Sequence, residues 1–147
     1  MIGDYAAWNY FESINSPTNA EFTLKFRKAF PQQKALSDPM EAAYFGVHIW
    51  ARTVKNGGSP EPAVVLKHID NQSYPAPEGI VYTDSKNHHT WKFVRIGKIR
   101  FDGQFSIVWD SDNQIKPNPF PLFKSLEQWE KLLHDLYVGW RGKWVKS

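Results

Sequence analysis

The chain has 147 residues, of which 41% are hydrophobic and 16% aromatic; it lacks Cys, and its 18 Lys plus Arg against 15 Asp plus Glu give a formal net charge of +3. So large an apolar share excludes a disordered tail, because burial offsets ordering entropy, and no run approaches the ~18 apolar residues of a membrane span, so membrane insertion is not expected. Without Cys there is no disulfide framework, thiol nucleophile or Cys-ligated zinc site, and Met1 to Tyr5 shows no basic-then-apolar leader.

Tyr5 to Ile14 is aromatic without helical spacing and reads as an extended segment, closed by Ser16-Pro17. Ser16 as N-cap and Pro17 in the first turn then predict a helix to Phe30, with Phe22, Phe26, Ala29 and Phe30 on one stripe and Pro31 as its stop. Asp38-Pro39 repeats the signature. Glu41 stands three residues after Asp38, where it can complete a capping box. A long helix from Pro39 to Asn56 follows, with Met40, Ala43, Tyr44, Val47, Trp50 and Val54 in helical period and Gly57-Gly58 at its end. Ser59-Pro60 opens a shorter helix to about His68, whose Val64, Val65 and Ile69 are available for burial.

Pro75, Pro77 and Gly79 read as breakers, followed by β-like runs at Ile80–Tyr82, Trp91–Phe101 and Phe105–Trp109. Asp102-Gly103 predicts a two-residue hairpin turn. In the arm before it the apolar positions change face near Gly97, which predicts a bulge or burial of both faces. Phe105, Ile107 and Trp109 alternate in the return arm. Pro117, Pro119 and Pro121 describe an extended connector. Ser125-Leu126-Glu127-Gln128 is a capping box opening a last helix, with Trp129, Leu132, Leu133, Leu136 and Tyr137 on one face.

His88-His89 with Asp84 is the one cluster resembling a metal or acid/base site. Neighbouring strand residues point to opposite faces and no third ligand stands at helical spacing, so a polar loop is expected and no metal. The acidic pairs Asp110/Asp112 and Asp84/Glu78 fall in turn-rich stretches that favour local backbone hydrogen bonds. There is no nucleophile elbow and no glycine-rich phosphate loop. The expectation is a protein without catalytic residues or cofactor, and not an enzyme. Trp50, Trp91, Trp109 and Trp129 occupy periodic positions and read as core. Trp8, Asn9 and Tyr10 differ, because they place an amide between two aromatic rings outside any period. They are the candidate ligand-binding or hinge residues. Basic residues are interspersed with acidic ones except in the tail, Arg141, Lys143 and Lys146, so a solvated surface and no nucleic-acid partner are expected. A basic aromatic module stacking single-stranded bases on Trp140 and Trp144 is the alternative of another class.

Gly3-Asp4-Tyr5-Ala6-Ala7-Trp8-Asn9-Tyr10-Phe11-Glu12-Ser13, Asp38-Pro39-Met40-Glu41-Ala42-Ala43-Tyr44, Ala76-Pro77-Glu78-Gly79, His89-Thr90-Trp91-Lys92 with Arg95-Ile96-Gly97, and Phe105-Ser106-Ile107-Val108-Trp109 before Pro117 and Pro119 carry a resemblance in conserved order. Together they resemble the C-terminal part of urea ABC-transporter substrate-binding proteins, and less closely the cytosolic short-chain amide sensors of the same fold. The resemblance implies an α/β, partial type I periplasmic-binding-protein fold with a C-terminal β-hairpin and helix: two lobes joined by three crossing segments, closing by hinge motion on a ligand. Such proteins run to roughly 400 residues, so residues 1–147 would be the C-terminal portion of an incomplete two-lobe unit, lacking the first lobe's opening βαβ units and the signal peptide. Tyr5 to Phe11 would feed a crossing segment, and the hairpin at Asp102-Gly103 would lie near the hinge. The implied partners are a small neutral solute, urea or a short-chain amide, and the permease subunits of an importer. The implied location is periplasmic or extracytoplasmic, with the cytoplasm as the alternative for a sensor. Helix stripes facing absent strands would leave an apolar patch and favour self-association.

Overall fold

A computed structural model describes residues 1–33 and 35–144; Lys146 of the basic tail lies outside the described residues. The chain divides into two compact units, Met1–Pro117 and Asn118–Ser147. In the first, the order is β1 (Tyr5–Trp8), α1 (Pro17–Ala29), α2 (Asp38–Gly57), α3 (Pro62–His68), β2 (Ser73–Ala76), β3 (Gly79–Thr83), β4 (Thr90–Trp91), β5 (Arg95–Ile99) and β6 (Phe105–Asp110). The strands form two antiparallel three-stranded sheets, β1-β5-β6 and β2-β3-β4. The architecture is the α/β arrangement expected of a partial type I periplasmic-binding-protein fold.

β1 ends at Trp8, short of the extended run expected to Ile14. Beyond Trp8 the backbone finds side chains instead of a neighbouring strand: the Asn9 carbonyl accepts from Arg95 and the Tyr10 amide donates to Asp38. α1 starts as anticipated, with Ser16 Oγ accepting from the Asn19 amide at 3.1 Å and Pro17 in its first turn. Phe22 and Phe26 then pack with Tyr10, Ile14, Leu36 and Tyr44 in one of two small cores.

α2 departs from expectation at its start. Its N-cap is Ser37, and neither Asp38 nor Glu41 caps it. Asp38 is engaged by the Tyr10 amide, and Glu41 is buried within the fold. The buried face also differs from the apolar stripe anticipated: Glu41, Phe45, Ile49 and Thr53 turn inward, whereas Met40, Val47 and Trp50 are exposed. A polar residue at both ends of the i, i+4, i+8, i+12 line hid that face from an apolar count. Phe45 and Ile49 meet Ala76 and Val81 of the second sheet in the other core. Gly58, at φ 72°, closes the helix in the left-handed conformation.

α3 begins at Pro62, two residues later than predicted, because a residue preceding proline is driven out of helical backbone and Glu61 adopts ψ 130°. β2 forms across Pro75, pairing with Ile80 of β3, where breakers alone were anticipated. The single β-run expected from Trp91 to Phe101 is two strands in different sheets: Lys92 bridges to Ile115, and Val94 bonds Ser111, so the chain changes partners between β4 and β5.

The bulge lies where expected, opposite Ile96 and Gly97, with Val108 of β6 as the extra residue. It ends the alternation of β6, and Val108 and Trp109 are both exposed. The hairpin loop is three residues, Phe101 to Gly103, in place of the two-residue turn. Gly103 N donates to Arg100 O in an i to i+3 turn, Gly103 takes φ 80°, and Arg100 N donates to Gln104 O. The second unit holds α4 (Leu126–Gly139), opened by the predicted capping box with both reciprocal bonds, Gln128 N to Ser125 Oγ and Ser125 N to Gln128 Oε1. Trp129 bonds Pro121 O at 2.9 Å and stacks on Phe120.

Candidate functional site: an aromatic cleft above a buried charge cluster

A cleft of about 260 Å³ opens where the end of β1, the start of α2 and the β5–β6 loop converge. Trp8, Phe11 and Phe105 form its aromatic walls, and Asp38, Glu12 and Gln104 contribute polar atoms. The Phe11 and Phe105 rings lie 4.7 Å apart, directly over Gly97, where a Cβ would stand 2.8 Å from Phe11. Only glycine admits that ring. Glu12 is held by Arg27, by the Leu36 amide and by Gln104, so its position on the cleft is set from three sides.

The three residues singled out in sequence take different places. Trp8 is 48% exposed and lines the cleft. Asn9 is a tie: its Nδ2 donates to Phe93 O at 2.5 Å and its carbonyl accepts from Arg95 Nη1 at 2.7 Å. Tyr10 touches the cleft but is buried, its hydroxyl donating to Asn19 Oδ1 at 2.8 Å, and burial pushes its phenol up from the ordinary value.

Asp38 also joins a cluster of buried charges; the sequence pattern gave Asp38 and Glu41 to a helix cap and Glu78 and Asp110 to turns, and assigned Lys92 and Arg95 to neither. Arg95 spreads its guanidinium over Asp110 Oδ2 at 2.6 Å, Asn9 O at 2.7 Å and Glu78 O at 2.9 Å, tying together β5, β6, the segment after β1 and the β2–β3 turn. Lys92 Nζ stands 3.3 Å from Glu78 Oε1 and 3.7 Å from Asp38 Oδ1. Glu41 and Glu78 are 0% and 1% exposed. Burial pushes the Glu41 carboxyl up to about 8, with the Glu78 charge adding to it. Burial pushes Glu78 up to about 7 against the pull of Lys92. The sequence signal for this cluster was there to use, in Glu41 sharing the spacing of Phe45 and Ile49.

His88 and His89 sit in an exposed loop, His88 Nε2 facing Asp70 Oδ1 at 3.2 Å. Asp84 bonds the Lys86 amide and Trp91 Nε1, the local role expected of it. Trp50 and Trp109, anticipated as core, are 47% and 49% exposed. Among the described residues no group of three His, Asp or Glu side chains is placed to hold a metal ion, and no helix is long and apolar enough to cross a membrane.

Residues 1–126 match the periplasmic binding protein domain. The chain belongs to the periplasmic binding protein family. It is 28% identical over 99 residues to a Leu/Ile/Val-binding protein homolog 6 of Brucella abortus, covering 67% of this chain and 25% of that one. It is 32% identical over 117 residues, 80% of this chain, to a Geobacillus stearothermophilus protein named limonene hydroxylase, of which it spans 21%. That shared stretch overlaps the one that matches the periplasmic binding protein domain. A solute-binding protein of an ABC transporter from Rhodopseudomonas palustris, in complex with 3,4-dihydroxybenzoic acid, shares the fold at a TM-score of 0.69 and 20% identity, over 79% of this chain and 32% of that one. A leucine-, isoleucine-, valine-, threonine- and alanine-binding protein from Brucella ovis does so at 0.62 and 18%, over 78% and 33%. The chain therefore spans about a fifth to a third of the relatives it matches. Of these two solved proteins that share the fold, one is named as an ABC-transporter solute-binding protein holding 3,4-dihydroxybenzoic acid and the other as an amino-acid-binding protein.

Proposed function

We propose that this segment is the C-terminal portion of the extracytoplasmic solute-binding component of an ABC importer, and that its solute is urea or a short-chain amide. The observation that carries the reading is the make-up of the cleft: aromatic walls at Trp8, Phe11 and Phe105 beside the carboxylates of Asp38 and Glu12. Carboxylates only accept hydrogen bonds when ionised, so such a rim favours a solute rich in N–H donors. Aromatic walls exclude competing water and strengthen those bonds. Each of these carboxylates already has a cation beside it, Arg27 at Glu12 and Lys92 at Asp38, so what the rim offers a solute is acceptor oxygens, which a neutral amide uses without bringing charge of its own. Within this reading Trp8 is the wall against which the solute packs, and Asn9 and Tyr10 brace the segment that carries it. The order of motifs from Gly3 through Trp109 supports the same solute class.

Calorimetric titration of the protein encoded by the full reading frame tests this. Heat with urea, acetamide or formamide, and none with leucine or 4-hydroxybenzoate, is the expected result. Heat only with the latter pair would replace the solute class while leaving the transport role in place.

A further inference from the structure

Glu41 comes from the first turn of α2 and Glu78 from the β2–β3 turn, 37 positions apart, and both side chains are wholly enclosed. Glu41 Oε1 accepts the Glu78 amide at 3.3 Å, which draws the two residues together. Among the described residues, Glu41 Oε2 and Glu78 Oε2 have no hydrogen-bond donor. Among the described residues, the charged and titratable groups set around the pair lie on α2, after β4, on β5 and β6, and before α1. Asp38 adds a third carboxylate from α2, and Lys92, after β4, lies within 4 Å of both Asp38 and Glu78, the one cation among the described residues that pairs with this group. Arg95 of β5 gives its ion pair to Asp110 of β6 and meets Glu78 only at the backbone carbonyl. Tyr10, before α1, brings a buried phenol. Three carboxylates therefore face one ammonium, inside protein, where an unpaired ion costs several kcal/mol. Those charges sum to an excess of two negative ones, and each proton added to a carboxyl removes one of them.

We infer that Glu41 and Glu78 form a proton-binding site, at least one of the two carboxyls being protonated in the folded chain at neutral pH. The inference is independent of which solute the cleft takes. In the unfolded chain both carboxyls return to the ordinary value near 4.5, so folding takes up one proton at Glu41 across the window between that value and about 8, and a second at Glu78 up to about 7. Linkage then fixes the sign: stability is complete at the acid end of the window and is lost as pH rises through it, the unfolding equilibrium constant growing about tenfold per pH unit for one proton. Above the window it levels.

The test is guanidinium chloride unfolding of the 147-residue chain, at one fixed dilute protein concentration and a series of pH values from 5 to 9, alongside Glu41→Gln and Glu78→Gln. Each amide keeps the shape and needs no proton, so either variant is expected to lose about one proton's worth of slope relative to the parent. Subtraction cancels the surface histidines common to all three proteins. Parallel slopes in parent and both variants would overturn the inference. Infrared spectra of the folded parent at pH 6 give a second readout that does not depend on the variants surviving: a protonated-carboxyl carbonyl band that fades by pH 9 is expected, and its absence would overturn the site as firmly.

Discussion

Trp8 and Gly97 serve the cleft in opposite ways, one by offering a surface and the other by having no side chain. Trp8 is half exposed, so its removal leaves the core alone. Trp8→Ala is expected to weaken amide binding about tenfold, the scale of one aromatic contact, while circular dichroism stays unchanged. Gly97 sits beneath Phe11 and Phe105, and an added methyl meets both rings at 3.0 Å or closer. Gly97→Ala should cost roughly 1–3 kcal/mol, read from the guanidinium chloride midpoint, because the rings must leave their packed positions. Arg95 is the strictest case. Replacing it with Met strands the Asp110 carboxylate and two backbone carbonyls at once, and a loss of about 3–5 kcal/mol is expected in the same measurement.

Between elements, α1 and α2, two of the three proline-opened helices of the first unit, look alike in sequence yet begin differently. α1 has a working cap in Ser16, whereas the Ser37 side chain at α2 makes no capping bond. Ser16→Ala is therefore expected to cost about 1 kcal/mol, and Ser37→Ala a few tenths at most, a contrast that paired guanidinium chloride titrations resolve. Equal losses would mean that the Ser37 hydroxyl caps in solution. The cap and box at Ser16 and Ser125 were legible because their hydrogen bonds close within one turn. Asp38 and Glu41 carried the same local pattern, but both answer to distant partners: the Tyr10 amide for one and the Glu78 amide for the other. Local pattern fails where a long-range bond competes for the same atoms. Pro75 in β2 and the split of the Trp91–Phe101 run belong to the same class, since strand membership depends on which neighbour pairs.

At the scale of the whole molecule, Trp8, Trp50 and Trp109 each leave about half their surface in solvent, joined by Val47 and Val108. Single exposed apolar residues are ordinary, but several large aromatics on one small unit favour association. The 147-residue chain is expected to self-associate, with a light-scattering mass that rises with concentration. A monodisperse monomer across that range would show that these faces are tolerated in water.

Composition, the helix starts with local caps and the order of motifs were determined by the sequence alone, because each is settled by contacts a few residues apart or by the motifs themselves; the sequence left a bulge near Gly97 or burial of both faces open, and the strand pairing put the extra residue at Val108. The tertiary structure decided which face of α2 is buried, where β4 gives way to β5, and that Glu41, Glu78, Lys92 and Arg95 meet in a cluster that shares Asp38 with the Trp8 cleft. Those outcomes depend on residues 14 to 86 positions apart. A buried carboxylate is indistinguishable from a surface one until the chain that removes its water has been folded around it.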